Sequence, residues 1–272
     1  MVETIIKPKK GLALNLREIW DYRELFYFLA WRDIKVRYKQ TAFGMAWAIL
    51  QPFILMVVFS LFFGRVVGIS SDGVPYPIFA YAGLLFWQFF SGALSRSSES
   101  FVASQGILQK IYFPRLILPL STTIVSLVDF VMAAVVFAGL LVYYQFAPTL
   151  LGVLLVIPAV FITFLTAAGL GTILATLNVK YRDVGHALPF FIQLLLFLTP
   201  VIYPVSLVPE SLRWLLRLNP MTGVIDSIRA SFLGLGDVNW GSLGTALAIS
   251  LSLFVIGYFY LKRFESEFAD II

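Results

Sequence analysis

The sequence predicts an all-α integral membrane protein with six transmembrane helices, an N-terminal amphipathic interface helix, and an extracytoplasmic re-entrant helical hairpin before the last span. Three observations carry this expectation. Hydrophobic residues make up 60% of the 272 residues and charged residues 13%, against roughly 25% charged in a soluble domain. Several long runs contain no Asp, Glu, Lys or Arg, and about 20 apolar residues suffice to cross a bilayer's hydrocarbon. The basic residues flank these runs instead of gathering on a polar domain. The pI of about 9.4 and net charge of +5 therefore point to a membrane and away from nucleic acid.

The uncharged runs cover 41–64, 73–95, 184–209 and 238–261. A further stretch, 116–179, is interrupted only by Asp129 and is too long for one span. The polar, proline-containing segment Gln145-Phe146-Ala147-Pro148 divides it. The expected spans are about 42–64, 77–95, 117–144, 150–177, 187–204 and 239–261. They form one membrane domain, 41–262, between a cytoplasmic lead at 1–40 and a cytoplasmic tail at 263–272. Six crossings put both termini on one side. With that side cytoplasmic, sixteen of the twenty Lys and Arg residues lie inside, and only Arg65, Arg213, Arg217 and Arg229 lie outside. That asymmetry sets the orientation. No cleavable signal is apparent, because the first strongly apolar stretch follows a long charged lead. No internal repeat is visible, which argues against many secondary-transporter folds.

In the lead, Asn15 and Glu18 have the spacing of a helix cap and its partner. Leu16, Ile19, Tyr22, Leu25, Phe26 and Leu29 then recur at steps of three and four, with Arg17, Asp21 and Glu24 on another face. This pattern predicts an amphipathic helix lying in the cytoplasmic interface. It leads into Trp31-Arg32-Asp33-Ile34-Lys35-Val36-Arg37-Tyr38-Lys39, whose aromatic and basic residues suit headgroups and anionic lipid. The loop 96–115 is the longest on the cytoplasmic side, with Ser97, Ser98 and Ser100 able to start a short helix and Pro114 closing the loop. On the outside, 203–236 reads as two short helices. Pro209 and Glu210 suit the first turn of one, and Thr222 suits the cap of the other, where Asp226 and Arg229 are one turn apart and able to pair. A pair of helices dipping back into the membrane needs protein or a water-filled cavity around it, which hints at a pore mouth.

Catalytic chemistry is hard to find. A phosphate-binding loop requires a Gly-Lys pair, and the chain has none. Zero cysteines exclude disulfides and thiolate metal sites, and His186 is the sole histidine. No cofactor or metal site is expected in this chain. Asp129 is the one ionisable residue inside a predicted span, and pairing with a neighbouring Ser, Tyr or Arg is its simplest role; part of a gate or proton path is the alternative. The 26 Phe, 12 Tyr and 6 Trp chiefly serve packing, lipid contact and interface belts.

The ordered set of short motifs resembles the permeases of ABC-type polysaccharide exporters, the group that exports O-antigen, capsule and teichoic acid. The basic lead from Trp31 to Lys39 is followed by Phe43-Gly44 and Trp47, then by Leu50-Gln51-Pro52 in the first span. The turn Asn178-Val179-Lys180-Tyr181-Arg182-Asp183-Val184 matches the family's cytoplasmic turn after the fourth span. Thr199-Pro200-Val201-Ile202-Tyr203 then leads through the outer hairpin to Leu218-Asn219-Pro220-Met221. The resemblance runs from about residue 15 to the C-terminus; residues 1–14 have no assigned role.

The resemblance implies a homodimer in a bacterial cytoplasmic (inner) membrane, with two copies of a separate ATP-binding subunit that hold the ATP and Mg. The polysaccharide, attached to a lipid carrier in many systems, would pass through a channel between protomers. Aromatic faces able to stack on sugars make Trp47, Tyr81, Phe86, Trp87, Phe89, Phe90 and Tyr203 the candidate channel residues. The candidate contact with the ATP-binding subunit comprises Arg32, Asp33, Lys35, Arg37, Arg96, Glu99, Gln105, Lys110, Lys180, Arg182 and Asp183. The competing readings are an ABC permease for a drug or lipid, an ion-coupled carrier using Asp129, and an integral membrane enzyme.

Overall fold

A computed structural model describes residues 16–39 and 44–265. The expected cap at Asn15, residues 1–14, Phe43 of the Phe43-Gly44 motif and most of the tail lie outside the described residues. Every regular element among the described residues is helical. In chain order they are α1 (Leu16–Asp21), α2 (Arg23–Lys39), α3 (Ala46–Phe59) with a π-helical continuation (Ser60–Val66), α4 (Tyr76–Ala103) and α5 (Gln105–Leu108). There follow α6 (Ile117–Tyr143), α7 (Leu150–Lys180), α8 (Asp183–Leu198), a 3₁₀ turn (Val205–Leu207), α9 (Glu210–Arg217), α10 (Pro220–Leu233) and α11 (Trp240–Phe264).

Among the described residues, five helical segments are long and apolar enough to span a membrane: Ala46–Val66, Tyr76–Ala103, Ile117–Tyr143, Leu150–Lys180 and Trp240–Phe264. The span expected at 187–204 takes another form. There α8 starts earlier and stops at Leu198, giving 16 residues, or roughly 24 Å at 1.5 Å per residue, short of the ~30 Å hydrocarbon core. Pro200 is the physical reason: its ring disfavours helical backbone in the preceding residue, and Thr199 is accordingly extended (φ −97°, ψ 137°).

The expected loop 96–115 is also shorter than its composition suggests. Instead of starting a new helix, Ser97, Ser98 and Ser100 sit buried inside α4, which runs on to Ala103. The hydroxyls of Ser98 and Ser100 donate to the carbonyls of Ser95 and Ser97 at 2.7 Å, so their bonding is satisfied without breaking the helix. Only the four-residue α5 follows before α6.

Helix ends elsewhere follow side-chain capping. Thr149, Asn219 and Asn239 accept from the backbone N–H of Gly152, Met221 and Ser242 at 3.0–3.1 Å, opening α7, α10 and α11. The cap of α10 is thus Asn219 with Pro220 behind it, and the expected cap Thr222 is buried within the helix. Pro209 and Glu210 do open α9.

The core is organised around α4, whose side chains from Ile78 to Leu94 are almost all buried against α6, α7 and α10. On its far side α7 packs on α11 at backbone contact. A Cβ on Gly257 would lie 2.6 Å from the Gly169 carbonyl oxygen, and the hydroxyls of Thr166 and Ser250 meet at 2.7 Å in the same seam. Close approach through small residues is how apolar helices gain dispersion contact when lipid offers no hydrophobic drive.

A second cluster sits at the end of the bundle beside the N-terminal helices. Leu29 is buried with Phe101, Phe113, Leu116, Ile117, Tyr258 and Leu261, while Ile19, Tyr22, Leu25 and Phe26 pack on its edge. The apolar stripe of the lead therefore covers the protein's own helices. Its other face exposes Trp20, Tyr27, Phe28 and Trp31. The C-terminal end of α2 reaches Asp129, which is 12 residues past Ile117 and so roughly 18 Å along α6. The lead is thus docked along α6.

Candidate functional site: a charged seam opening on a polar pocket

Asp129 stands midway along α6, where an unpartnered carboxylate would be costly. Arg37, from the last turn of α2, meets its Oδ2 at 2.8 Å. Arg96, from α4, meets the same oxygen at 3.0 Å. The Tyr38 hydroxyl donates to Oδ1, and Arg96 also donates to the Ser126 hydroxyl. Burial, reinforced by the Asp129 carboxylate, pushes the Tyr38 phenol up to about 12. Tyr38 is therefore a donor throughout the neutral range. Three elements are tied together by one carboxylate, and two guanidinium charges face it, leaving a formal excess of one positive charge.

The seam is not sealed. The side chains of Arg37, Arg96 and Asp129 remain 32%, 25% and 18% exposed and line a cavity of about 380 Å³ between α3, α4, α6 and α8. Gln51, Gln88, Ser91 and Ser95 add amides and hydroxyls to its wall, with the Gln51 amide 3.5 Å from that of Gln88. Positions 88, 91 and 95 follow the i, i+3, i+7 pattern of one helix face. That polar stripe inside an apolar span was a signal available in the sequence.

At the opposite end of the bundle, Arg229 of α10 is only 2% exposed. Its expected partner was Asp226, one turn away. The structure turns the guanidinium elsewhere: it donates to the carbonyls of Pro200 and Val201 at 2.6 Å and of Phe79 at 3.1–3.2 Å. It also lies 3.5 Å over the Phe79 ring. The non-helical backbone after α8 supplies carbonyls that no helix uses, and a planar five-donor cation can reach several at once. Gly83 makes room, since a Cβ there would lie 2.7 Å from the Arg229 Nη2. No residue pattern announces this contact, because its acceptors are backbone atoms.

The candidate aromatics divide sharply. Tyr81, Phe86, Trp87, Phe89 and Phe90 are 0–4% exposed. The Tyr81 hydroxyl donates to the Ala133 carbonyl at 2.9 Å, while Phe86 and Phe89 pack on Phe130 and Trp87 packs on Phe90. Within the subunit these are core residues. Trp47 is 49% exposed on α3, and Tyr203 is half-buried, its hydroxyl donating to the Phe197 carbonyl.

Of the candidate contact residues, Arg37 and Arg96 belong to the Asp129 seam, and Arg32 pairs with its neighbour Asp33 at 2.8 Å. Lys35 lies over the Trp31 ring, and Lys180 over the Tyr181 and Phe264 rings. Glu99, Lys110, Arg182 and Asp183 are exposed and Gln105 half-exposed. The sole histidine, His186, is exposed on α8. The ends of α4 and α7 that carry these groups share the bundle end built on Leu29.

With this geometry in hand, comparison with known proteins is decisive. The family of ABC-2 type transporters matches residues 24–233. The chain belongs to the ABC-2 type transporter family. It is 33% identical to the O-antigen export system permease protein RfbA of Myxococcus xanthus over 94% of this chain and 98% of that protein. It is 28% identical to the RfbA permease of Klebsiella pneumoniae over 96% and 98%, and 22% identical to the polysialic acid transport protein KpsM of Escherichia coli over 74% and 78%. As an ABC-2 family member with several membrane-length helices, this transporter is a multi-pass membrane protein, and its role is transport, not catalysis.

Proposed function

We propose that this chain is the channel-forming permease of an ATP-driven exporter that moves a lipid-linked polysaccharide out across the bacterial cytoplasmic membrane. The observation carrying the reading is the collinear match to O-antigen export permeases over 94% or more of both chains. In this reading two copies pair, and the polymer passes between them. The apolar outer faces of α3 and α8, including Phe53, Ile54, Phe190, Phe191 and Leu194, are available for lipid or for the second copy. Trp47 and Tyr203 keep an accessible aromatic face for sugar rings. The aromatics buried along α4 stiffen the wall behind them.

Energy comes from a separate ATP-binding subunit on the cytoplasmic side, which holds the ATP and Mg. The exposed groups Glu99, Lys110, Arg182 and Asp183 lie at the bundle end that the Lys and Arg distribution assigns to the cytoplasm. Asp129 joins α2 at that end to α4 and α6 in the membrane, so displacement of the lead is felt by two spans. In this reading α8 and the segment up to α10 together complete a sixth crossing, with α9 and α10 returning into the outer half of the membrane.

The test is reconstitution of the chain with its ATP-binding subunit in liposomes loaded on the ATP side with labelled lipid-linked glycan. Export requiring ATP, lost when either subunit is omitted, is the expected result. Transport by this chain alone, or transport of an unrelated drug in preference to glycan, would overturn the proposal.

A further inference from the structure

A second cavity, of about 550 Å³, opens where α6 turns into α7 and α10 into α11. These are the ends of α7 and α11 remote from the Leu29 cluster. Its wall accepts hydrogen bonds and offers few. Residues 230–233, the last turn of α10, form one side. The closing carbonyls of a helix have no intrahelical N–H to meet, and they carry its negative pole. Asp237 adds an exposed carboxylate that makes no ion pair among the described residues. Ser231 already donates its hydroxyl to the Ser227 carbonyl at 2.8 Å. Phe146 and Trp240 contribute aromatic faces, and Trp240 is 58% exposed. Among the described residues no lysine, arginine or histidine lines the space. A negative helix pole, a carboxylate and aromatic faces in one cavity favour a cation that only donates, and an ammonium is such a group. An anionic head would meet repulsion, and a neutral sugar would gain nothing from the charge.

The apolar surroundings select the molecule that carries the ammonium. Leu151 lines the cavity, and Leu151, Leu154, Ile157 and Phe161 follow one another at steps of three and four along α7, each 49–70% exposed. Such steps keep to one helix face. From 151 to 161 the stripe covers roughly 15 Å at 1.5 Å per residue, running from the cavity towards the middle of the span. An acyl chain fits the stripe while the head occupies the cavity.

We propose that this cavity binds the primary ammonium head of a zwitterionic membrane phospholipid, of the phosphatidylethanolamine class, with one acyl chain lying along α7. Asp237 and the last carbonyls of α10 accept from the ammonium, and Trp240 offers it a ring face. Thr149, whose oxygen accepts from the Gly152 N–H at 3.1 Å, keeps its hydroxyl proton for a phosphate oxygen. The bound lipid fastens the α10–α11 connection to the bilayer. The site goes beyond the export reading, because its ligand is a component of the bilayer and not the cargo.

The experiment is native mass spectrometry of the purified full-length chain in detergent, titrated with phosphatidylethanolamine, its N-acetyl derivative, phosphatidylcholine and phosphatidylglycerol, all with the same acyl chains. One phosphatidylethanolamine should be retained most tightly. The N-acetyl derivative and phosphatidylglycerol lack the cation and should bind at least about tenfold more weakly, the scale of one lost charge-assisted hydrogen bond. Phosphatidylcholine keeps the charge but has no N–H, and should fall between. Asp237→Asn should weaken phosphatidylethanolamine binding about tenfold and Trp240→Leu about threefold. Asp237→Glu, which keeps the charge, should retain it. Both side chains are exposed, so Tm should stay at the parent value and the losses should not come from unfolding. Equal retention of the N-acetyl derivative overturns the ammonium assignment, and equal retention of phosphatidylcholine overturns the primary ammonium. Displacement of the lipid by equimolar phosphoethanolamine or glucosamine overturns the choice of a lipid over a soluble amine. Unchanged affinity in Asp237→Asn overturns the site, and unchanged affinity in Trp240→Leu removes the indole from it. Binding is read without transport, so its failure leaves the export reading intact, and failed export leaves this site intact.

Discussion

Replacing Arg229 with Met tests whether one buried cation fastens the outer hairpin to the spans. Methionine has a similar reach and no donor, so Pro200 and Val201 would each lose a 2.6 Å contact to the guanidinium. A buried acceptor left unpaired costs about 1–3 kcal/mol. Loss of the stack over Phe79 adds up to about 2 kcal/mol for a desolvated cation. Relief of the desolvation carried by a buried charge works the other way. The expected net loss is about 3 kcal/mol, which at roughly 2–4 °C per kcal/mol for a chain of this size lowers Tm by about 6–12 °C. Arg229→Lys should fall between, since an ammonium cannot form the same fork to carbonyls on two elements. The assay is thermal unfolding of purified protein in one detergent, followed by intrinsic fluorescence. Gly83→Ala supplies the second arm of the experiment, because its Cβ would lie 2.7 Å from the Arg229 Nη2. Its cost should shrink in the Arg229→Met background, the signature of coupled neighbours. A Tm for Arg229→Met within about 1 °C of the parent would refute the fastening role.

The other predictions concern packing and sidedness. Gly257→Ala places a methyl 2.6 Å from the Gly169 carbonyl oxygen and should destabilise the α7–α11 seam by about 1–3 kcal/mol, read as reduced Tm; an unchanged Tm would mean the helices separate without penalty. Trp87→Ala removes a side chain only 4% exposed, so a loss of roughly 3–5 kcal/mol should lower protein abundance and export in equal proportion. Export falling well beyond abundance would return Trp87 to the transport path. The chain has no cysteine, so single Lys110→Cys and Glu210→Cys variants can be labelled in intact cells with a membrane-impermeant maleimide. Glu210→Cys should react and Lys110→Cys should not, and the same outcome at both sites would contradict the proposed orientation.

Much of the architecture was legible because it depends on local composition. Uncharged runs announce their solvent, and five of them, among the described residues, fall in helices long and apolar enough to cross a membrane. The apolar steps from Ile19 to Leu29 predicted an interface helix; the structure packs those residues, Leu29 fully buried and the others half-buried, on the protein's own second cluster. A carboxylate at Asp129, inside a span, demanded a partner before any partner was known. The polar positions 88, 91 and 95 on one helix face could have drawn attention to the pocket.

What tertiary structure alone decided is which distant groups meet. Tyr38 and Asp129 are 91 positions apart, and Arg229 and Phe79 are 150 apart; no spacing rule connects them. The aromatic run on α4 looked suited to sugar rings, yet it became the core because α6, α7 and α10 surround that helix. Asp226 lost the Arg229 fork to backbone carbonyls freed where Pro200 ends α8. Sequence reports what each residue needs from its surroundings. Only the packed chain determines which neighbour is close enough, and suitably aimed, to meet that need.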